Sequence, residues 1–523
     1  MKKKIYQALN SSKNIFLKVV KLINKNKKKI VIGLSVFLIV FISGFSFINL
    51  RYPTKINAYI AHVVNKGEPA NSYFDDENFY KAVIDAYNKE NNTSLPYTIN
   101  LTDEQLSSIK NISYSGYKKL KIKSTKGIEK LTSLTSLDLD NNNISNIDLS
   151  KNTALIELGL DENNISNIDL SKNTSLTKLN LYNNEISSID LSKNTSLASL
   201  DLEYNKVSSI DLSKNTALTD LDLYKNNISD IDLTKNTSLT TLDLSSNNIS
   251  SIDLSKNTSL ASLGLVNNKI SSLDLSKNTA LIELGLDENK ISDIDLSKNT
   301  SLTYLGLDNN KISSIDLSKN TSLTTLSLSN NKISSIDLSK NTSLEELYLS
   351  NNNLSNIDLS KNTKLTLLKL YDNPLKLNAY VKKNGTLTSS SVKLPEGSNK
   401  FYLTYEIEDN SIANFTDNKL NGLKVGKTNA TVTLNGVKAS SSSTENMKVD
   451  GTITVFDRLK GDINNDDKIT IADVSLLYRH VRGTKVIEDS KTLEVSDLTG
   501  DDKITIADVA KLYRYVRGKI NEL

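Results

Sequence analysis

Between residues 462 and 473, oxygen-bearing side chains fall at the spacing that wraps a hard cation. Asp462, Asn464, Asp466 and Asp473 stand at positions 1, 3, 5 and 12 of a loop, and Lys468 at position 7 lends its backbone carbonyl. Carboxylate, amide and carbonyl oxygens at these intervals suit an ion of calcium size. The pattern returns 35 residues later as Asp497, Thr499, Asp501, Asp508 and the carbonyl of Lys503. Asp467 and Asp502 occupy position 6, where a tight turn favours glycine, although Asp tolerates a left-handed backbone better than most residues. Thr499 replaces the usual Asn or Asp at position 3. Two calcium sites are expected, the second the weaker.

Each loop runs into a helix of apolar period, Val474, Leu477, Val481 in one copy and Val509, Leu512, Val516 in the other. The copies read GDINNDDKITIADVSLLYRHVRG (461–483) and SDLTGDDKITIADVAKLYRYVRG (496–518), a tandem duplication. A unit below about 70–80 residues needs a staple beyond its core, and a bound cation supplies one. Two such loop–helix units resemble the type I dockerin module. The resemblance implies that residues 459–523 form a small α calcium-binding domain that docks to a cohesin on a scaffolding protein. It places the recognition positions on Ile471, Ala472, Tyr478 and Arg479, and on Ile506, Ala507, Tyr513 and Arg514. The two sets are identical, so either helix could face the cohesin after a half-turn.

Upstream, residues 134–375 repeat one phrase twelve times at a 21-residue period: Leu134, Leu137, Leu139, Asn142, Ile144, Ile147, Leu149, then again from Leu155. A fixed period of this length means a solenoid, and LxxLxLxxN resembles the leucine-rich repeat family. Each turn offers roughly 10–18 kcal/mol of aliphatic burial, against roughly 20–40 kcal/mol for ordering its backbone. One turn alone therefore cannot fold, and stacking is obligatory. A buried Asn142 amide can bond backbone groups of adjacent turns. Strands about 4.8 Å apart give a curved parallel sheet roughly 55 Å long.

The strand positions flanking the inward leucines should line the concave side. They hold seventeen acids, Asp138, Asp140, Glu157, Asp161 and Glu162 among them, against Lys178, Lys225 and Lys369. Tyr182, Tyr204, Tyr224, Tyr304, Tyr348 and Tyr371 join them, and Gly159, Gly264, Gly285 and Gly306 are expected to leave bare backbone for a ligand. This is either a groove for a protein or glycan partner or a solvated face that keeps the sheet soluble. On the convex side IDLSKNT recurs, with Asp148 and its ten successors each offset by a Lys three residues on. That ladder is expected to be solvated, because the glycine-rich turns of calcium-binding β-helices are missing.

Residues 1–29 carry ten Lys and no acid, and residues 30–50 carry no charge. The run is long enough to cross a bilayer, and the lysines ahead of it place the N-terminus inside. The expectation is a basic cytoplasmic segment (1–29), an uncleaved transmembrane signal-anchor (30–50) and a linker (51–70). The rest is extracellular, anchored at the cell surface, or secreted should the segment be cleaved. Residues 71–133 should cap the solenoid, with Asp75 and Asp76 starting a helix that carries Phe79, Val83, Ile84 and Tyr87; Asp76–Phe79, Leu101-Thr102 and Gly127–Leu131 resemble the caps of internalin-like surface proteins. Residues 387–457 alternate like strands, and Ser411–Thr433 resembles bacterial Ig-like domains, implying a β-sandwich spacer.

The formal charge is +4. Setting aside those ten lysines leaves about −6 on the remainder, so the basic pI is no sign of nucleic acid. There is no cysteine, which removes disulfides and Cys-zinc chemistry. His62 and His480 are the two histidines, and Tyr515 is the duplicate partner of His480. No nucleophile, P-loop or dinucleotide motif appears. The expected protein is a non-catalytic surface scaffold, within a polysaccharide-degrading (cellulosome-like) assembly if the module likeness holds. Its rivals are an internalin-like adhesin for host or neighbouring cells, and an accessory to glycoside hydrolase machinery.

Overall fold

The computed structural model describes residues 73–523, apart from 118, 119, 459, 467, 500–502, 519, 521 and 522. The expected basic segment, signal-anchor and linker (1–70) lie outside the described residues, as do Asp467, Asp501 and Asp502. Among the described residues no helix is long and apolar enough to cross a membrane.

Each 21-residue phrase makes one turn of a parallel-β solenoid. The twelve repeat strands run from Ser136–Asp138 to Leu367–Lys369 and form a 13-stranded sheet with Asn111–Ser113 of the cap. Register is fixed leucine on leucine, Leu137 against Leu158 and Leu305 against Leu326. Leu134, Leu137, Leu139, Ile144 and Leu149 are buried, and their counterparts repeat down the stack. Burial on both sides of that layer is what one isolated turn lacks.

Asparagine binds turn to turn. Asn163 Oδ1 accepts the Ile144 amide of the turn before (2.9 Å), while Nδ2 donates to the carbonyls of Leu139 (3.0 Å) and Leu160 (3.1 Å). A second ladder, unforeseen from sequence, comes from the Asn of SKNT. Asn173 Nδ2 donates to Leu149 O (3.1 Å) and Asn152 O (2.9 Å), but its Oδ1, like those of its equivalents from Asn152 to Asn362, is buried without a partner. The convex aspartates are turn formers: Asp148 Oδ1 accepts the Ser150 amide (2.9 Å), which holds its carboxyl below the usual carboxylate range.

Helix α1 (Glu77–Asn91) covers the first turn with Phe79, Val83 and Ile84 buried. Asp76 caps it through the amides of Asn78 and Phe79. Glu90 accepts the Asn111 amide (2.8 Å) on the sheet's outermost strand, blunting an edge that would otherwise offer an unpaired donor. Helix α2 (Asp103–Ser108) follows, with Leu106 buried.

After the last turn the chain enters a five-stranded sheet, in the order Leu387–Ser390, Leu377–Lys382, Asn446–Phe456, Gly426–Lys438, Tyr402–Ile407, accompanied by a hairpin of Ala413–Thr416 and Lys419–Gly422. The sheet thus begins at Leu377, ahead of the expected 387. Leu377–Lys382 pairs in parallel with residues 451–456, a partner too distant in sequence for local alternation to reveal. This region packs directly on the last turns of the solenoid: Ile357–Asp358 pairs with Val392–Lys393, and Lys393 Nζ meets Asp358 at 2.7 Å.

Candidate functional site

The C-terminal module holds α3 (Ile471–Val481), α4 (Ser490–Ser496) and α5 (Ile506–Val516). Its core is Ile463, Val474, Leu477, Leu498, Val509 and Leu512. Among the described residues these six side chains make a small core, as the sequence suggested. Val481 and Val516 are only partly buried against it.

Each loop closes on its position-12 aspartate. Asp473 Oδ1 accepts the amides of Ile463 (2.8 Å) and Asn464 (3.1 Å), and Oδ2 accepts that of Thr470 (2.8 Å), the N-cap of α3. Asp508 does the same for Leu498 (2.8 Å), Thr499 (2.9 Å) and Thr505 (2.7 Å). Burial opposes the charge on Asp508, but these amides and the Thr499 hydroxyl outweigh it and hold the carboxyl below its ordinary value. In the first loop Asp462 Oδ1 and Asn464 Oδ1 both accept the Asp466 amide, at 3.1 and 3.0 Å, so positions 1, 3 and 5 converge. Asp466 Oδ1 in turn accepts the Lys468 amide (3.0 Å).

This donor set fits calcium. Asp462, Asp473 and Asp508 are fully buried carboxylates, an expensive burial without a compensating cation or amides. Asp473 Oδ1 already accepts two amides, whereas Asn464 Oδ1 and Asp466 Oδ1 accept one each and keep a lone pair toward the loop's centre of convergence. Among the described residues no three Asp, Glu or His side chains alone are arranged to hold a metal, so a cation in the first loop would need Asn464 and the Lys468 carbonyl as well. In the second loop the Thr499 hydroxyl donates to Asp508 Oδ1 (3.0 Å), which commits its proton, and Asp501 lies outside the described residues.

On the helices, Ile471 (55 % exposed), Tyr478 (45 %), Ile506 (58 %) and Tyr513 (47 %) face solvent. Ala472, Arg479, Ala507 and Arg514 are exposed with them. Packing therefore does not account for Ile471 or Ile506. His480 Nδ1 accepts the Ile487 amide (3.0 Å), a role within the fold.

Sequence reasoning missed two cations behind the loops. Arg458 donates to the carbonyls of Asp462 (3.0 Å) and Ile463 (2.7 Å), and Lys511 Nζ donates to that of Leu498 (2.7 Å). The available signal was a mismatch between the halves: Leu493 and Leu476 stand at the duplicate positions of Arg458 and Lys511.

Along the solenoid's concave side Tyr182, Tyr204 and Tyr224 pack edge to face, with centroids 5.7 and 5.4 Å apart. Lys225 Nζ lies 4.2 Å from the Tyr204 ring centre and Lys369 Nζ 4.8 Å from that of Tyr348. Tyr304 is exposed, Tyr371 is half-buried, and Tyr348 donates to Glu346 (2.8 Å). Carboxylates stacked on neighbouring strands resist ionisation. Burial, then the charges of Asp243, Asp201 and Glu203, push Asp222 up to about 7 against the Tyr224 amide, and burial above all takes Asp161 and Asp287 to about 6.

The glycines do not leave bare backbone. A Cβ on Gly264 would stand 2.7 Å from Asp243 Oδ1, on Gly306 2.5 Å from Asp287 Oδ2, and on Gly159 3.1 Å from Asp138 Oδ1. The carboxylate of the preceding turn leans into each vacancy. At Gly285 the filler is Val266.

Comparison with known proteins agrees with both halves of this description. Residues 460–517 match the type I dockerin domain. Residues 300–341 and 321–361 match paired leucine-rich repeats, and 130–151 and 235–256 match single ones. An internalin (inlF) from Listeria monocytogenes is 32% identical with a TM-score of 0.52, the match covering 59% of this chain and 92% of that one. The functional domain of InlJ from the same organism is 25% identical with a TM-score of 0.47, covering 74% and 98%. No curated protein matches the sequence. The chain is a leucine-rich-repeat protein with internalin-like structural neighbours and a C-terminal type I dockerin domain.

Proposed function

We propose that the chain is a non-catalytic extracellular binding protein that plugs into a cohesin-bearing scaffolding protein through its dockerin. The observation that carries this reading is the matched pair of exposed Ile-Ala and Tyr-Arg sets on α3 and α5, each held over a loop closed by a buried carboxylate. Asp462, Asn464, Asp466, Asp473 and the Lys468 carbonyl would hold one calcium; Asp497, Thr499, Asp501, Asp508 and the Lys503 carbonyl would hold a second, weaker one. Bound calcium supplies the positive charge that lets these carboxylates stay clustered and ionised. The chain's own residues do the rest. Thr470 and Thr505 start the helices, and Val474, Leu477, Val509 and Leu512 pack them together, leaving the Tyr-Arg face outward.

In this reading residues 30–50 anchor the chain at the surface, the β-rich segment is an Ig-like spacer, and the solenoid presents a protein or glycan ligand face within a polysaccharide-degrading assembly. Capture of a cohesin panel by the full chain in calcium, abolished by EGTA and by Tyr478→Ala with Tyr513→Ala together, tests it. Calcium-independent capture, or none from any cohesin, overturns it. The internalin-like neighbours of the solenoid favour a second reading, an adhesin for host or neighbouring cells. In that case cell binding would survive loss of both docking helices.

A further inference from the structure

The two halves of the dockerin carry near-identical loops and helices, yet the chain steadies them differently. At the carbonyl of loop position 2, the first loop (Ile463 O) is met by Arg458 and the second (Leu498 O) by Lys511. Arg458 comes from outside the duplication, two residues after the strand Asn446–Phe456 ends, and its duplicate position is Leu493. It is 12 % exposed and reaches four acceptors: the Asp462 carbonyl, the Ile463 carbonyl, Asp489 Oδ2 (3.1 Å) and the Thr492 hydroxyl on α4. Its neighbour Asp457 is paired to Lys383 of the β-rich region (4.0 Å). The junction between sheet and docking module is thus anchored on both sides.

We propose that Arg458 is a positioning residue for the first cation loop alone, holding its backbone in the closed form before the metal arrives. This rests on the calcium reading above. A planar guanidinium presents five donors in a fixed fork and can serve all four acceptors at once, whereas an ammonium has three donors. Its charge would repel a nearby dication, but the Asp489 carboxylate at 3.1 Å offsets it, so ordering of the loop decides the sign. Residues of this kind, one shell behind the ligands, change metal affinity by about 10–100-fold. The second loop takes its cation from α5 and has no need of Arg458.

The test uses the full chain with one site disabled at a time. In an Asp497→Ala background, where the first site remains, Arg458→Leu should weaken calcium binding about 10-fold or more by calorimetry. Arg458→Lys should recover part of the loss. In an Asp462→Ala background, where the second site remains, Arg458→Leu should change affinity less than about twofold. A readout without calcium keeps the two readings apart: Arg458→Leu should speed amide exchange at Ile463 and Asn464 while leaving Leu498 and Thr499 unchanged. Equal weakening of both sites, or equal exchange in both loops, would mean general destabilisation and overturns the assignment. So does an unaltered first site. Wild-type chain that binds no calcium, with the exchange difference intact, removes the calcium reading and leaves Arg458 as the organiser of that loop.

Discussion

Asp473 Oδ1 accepts the Ile463 amide at 2.8 Å, closing a loop and starting a helix with one side chain. The same carboxylate is position 12 of the cation loop. Loop closure and helix initiation are therefore one event, and calcium would bind the group that already joins them.

Asp473→Asn separates the two roles. The amide keeps one oxygen for the Ile463 and Asn464 amides but turns the oxygen that serves Thr470 into a donor, so helix content in chelator should fall only part of the way toward that of an Ala variant, while calcium binding at the first site should fall about 10-fold or more for lack of charge. Asp473→Ala removes both and should lower the helical signal even in chelator, at roughly 1–3 kcal/mol for the stranded amides. Calorimetry and circular dichroism on the pair decide it: an Asn variant as unfolded as the Ala variant would show that charge, not acceptance, closes the loop.

Stability should depend on pH with two opposite limbs. Asp222 is pushed up to about 7 and Asp161 and Asp287 to about 6, whereas an unfolded Asp titrates near 3.9. Between those values the folded chain holds more protons than the unfolded one, so stability falls as pH rises from about 4 to 7. The convex aspartates Asp148, Asp169 and Asp190 are held below the usual range by serine amides. Their contribution is present above about 4 and is lost below it. The melting temperature in chelator should therefore peak near pH 4–5 and decline toward pH 8. Asp222→Asn should raise it most at pH 8, less at pH 5 and little near pH 4. A flat profile from 5 to 8 would contradict the half-buried carboxylate stack.

The solenoid was legible because its information is local: a strict period of leucines specifies a strand, a register and a core face in every turn. The docking module was legible for the same reason, since ligand spacing and helix period lie within one duplicated stretch. What stayed hidden depends on contacts across turns or across the chain. SKNT reads as a polar surface loop until neighbouring carbonyls surround Asn173. Gly264 reads as open space until the previous turn's Asp243 is seen lying over it. Leu377–Lys382 falls between the repeats and the expected start at 387, because its parallel partner, residues 451–456, is distant in sequence.

The two asparagine ladders should differ in worth. Asn226 serves the Val207 amide (2.9 Å) through Oδ1 and the Leu202 and Leu223 carbonyls through Nδ2, so Asn226→Ala strands groups of both kinds. Asn236 gives only donors, to Leu212 O and Asn215 O, and carries a buried oxygen with no partner. Taking about 1–3 kcal/mol for each group left unsatisfied, Asn226→Ala should cost ~3 kcal/mol. Asn236→Ala should cost about half that, since truncation also removes an unsatisfied acceptor. Urea unfolding of the two variants checks the order; equal costs would mean the orphaned oxygen carries no penalty.

The residue that ends each strand run sits in the left-handed region, from Asn141 (φ 52) to Asp372 (φ 57), and six of the twelve turns place Asn there. Glu162 (φ 51) and Glu288 (φ 55) stand there in two turns, and three adjacent turns carry Tyr204 (φ 53), Lys225 (φ 53) and Ser246 (φ 54). For residues other than Gly, Asn or Asp this conformation costs roughly 1–2 kcal/mol, so substitution by Asn should recover about 1 kcal/mol wherever nothing else is lost. Ser246→Asn comes nearest to that condition, giving up only an exposed 3.3 Å hydrogen bond that its hydroxyl accepts from Asn267 Nδ2, and should stabilise the chain by about that much. Lys225→Asn gives up the ammonium over the Tyr204 ring, about 0.5–1 kcal/mol at an exposed site, and should come out near neutral. Tyr204→Asn gives up edge contacts to both Tyr182 and Tyr224, each about 0.5–1.5 kcal/mol, and should destabilise. Denaturant midpoints of the three variants at one pH give the ranking directly. Tyr204→Asn as stabilising as Ser246→Asn would mean the tyrosine row contributes nothing to the fold, and that its side chains sit in a strained backbone for a reason outside stability.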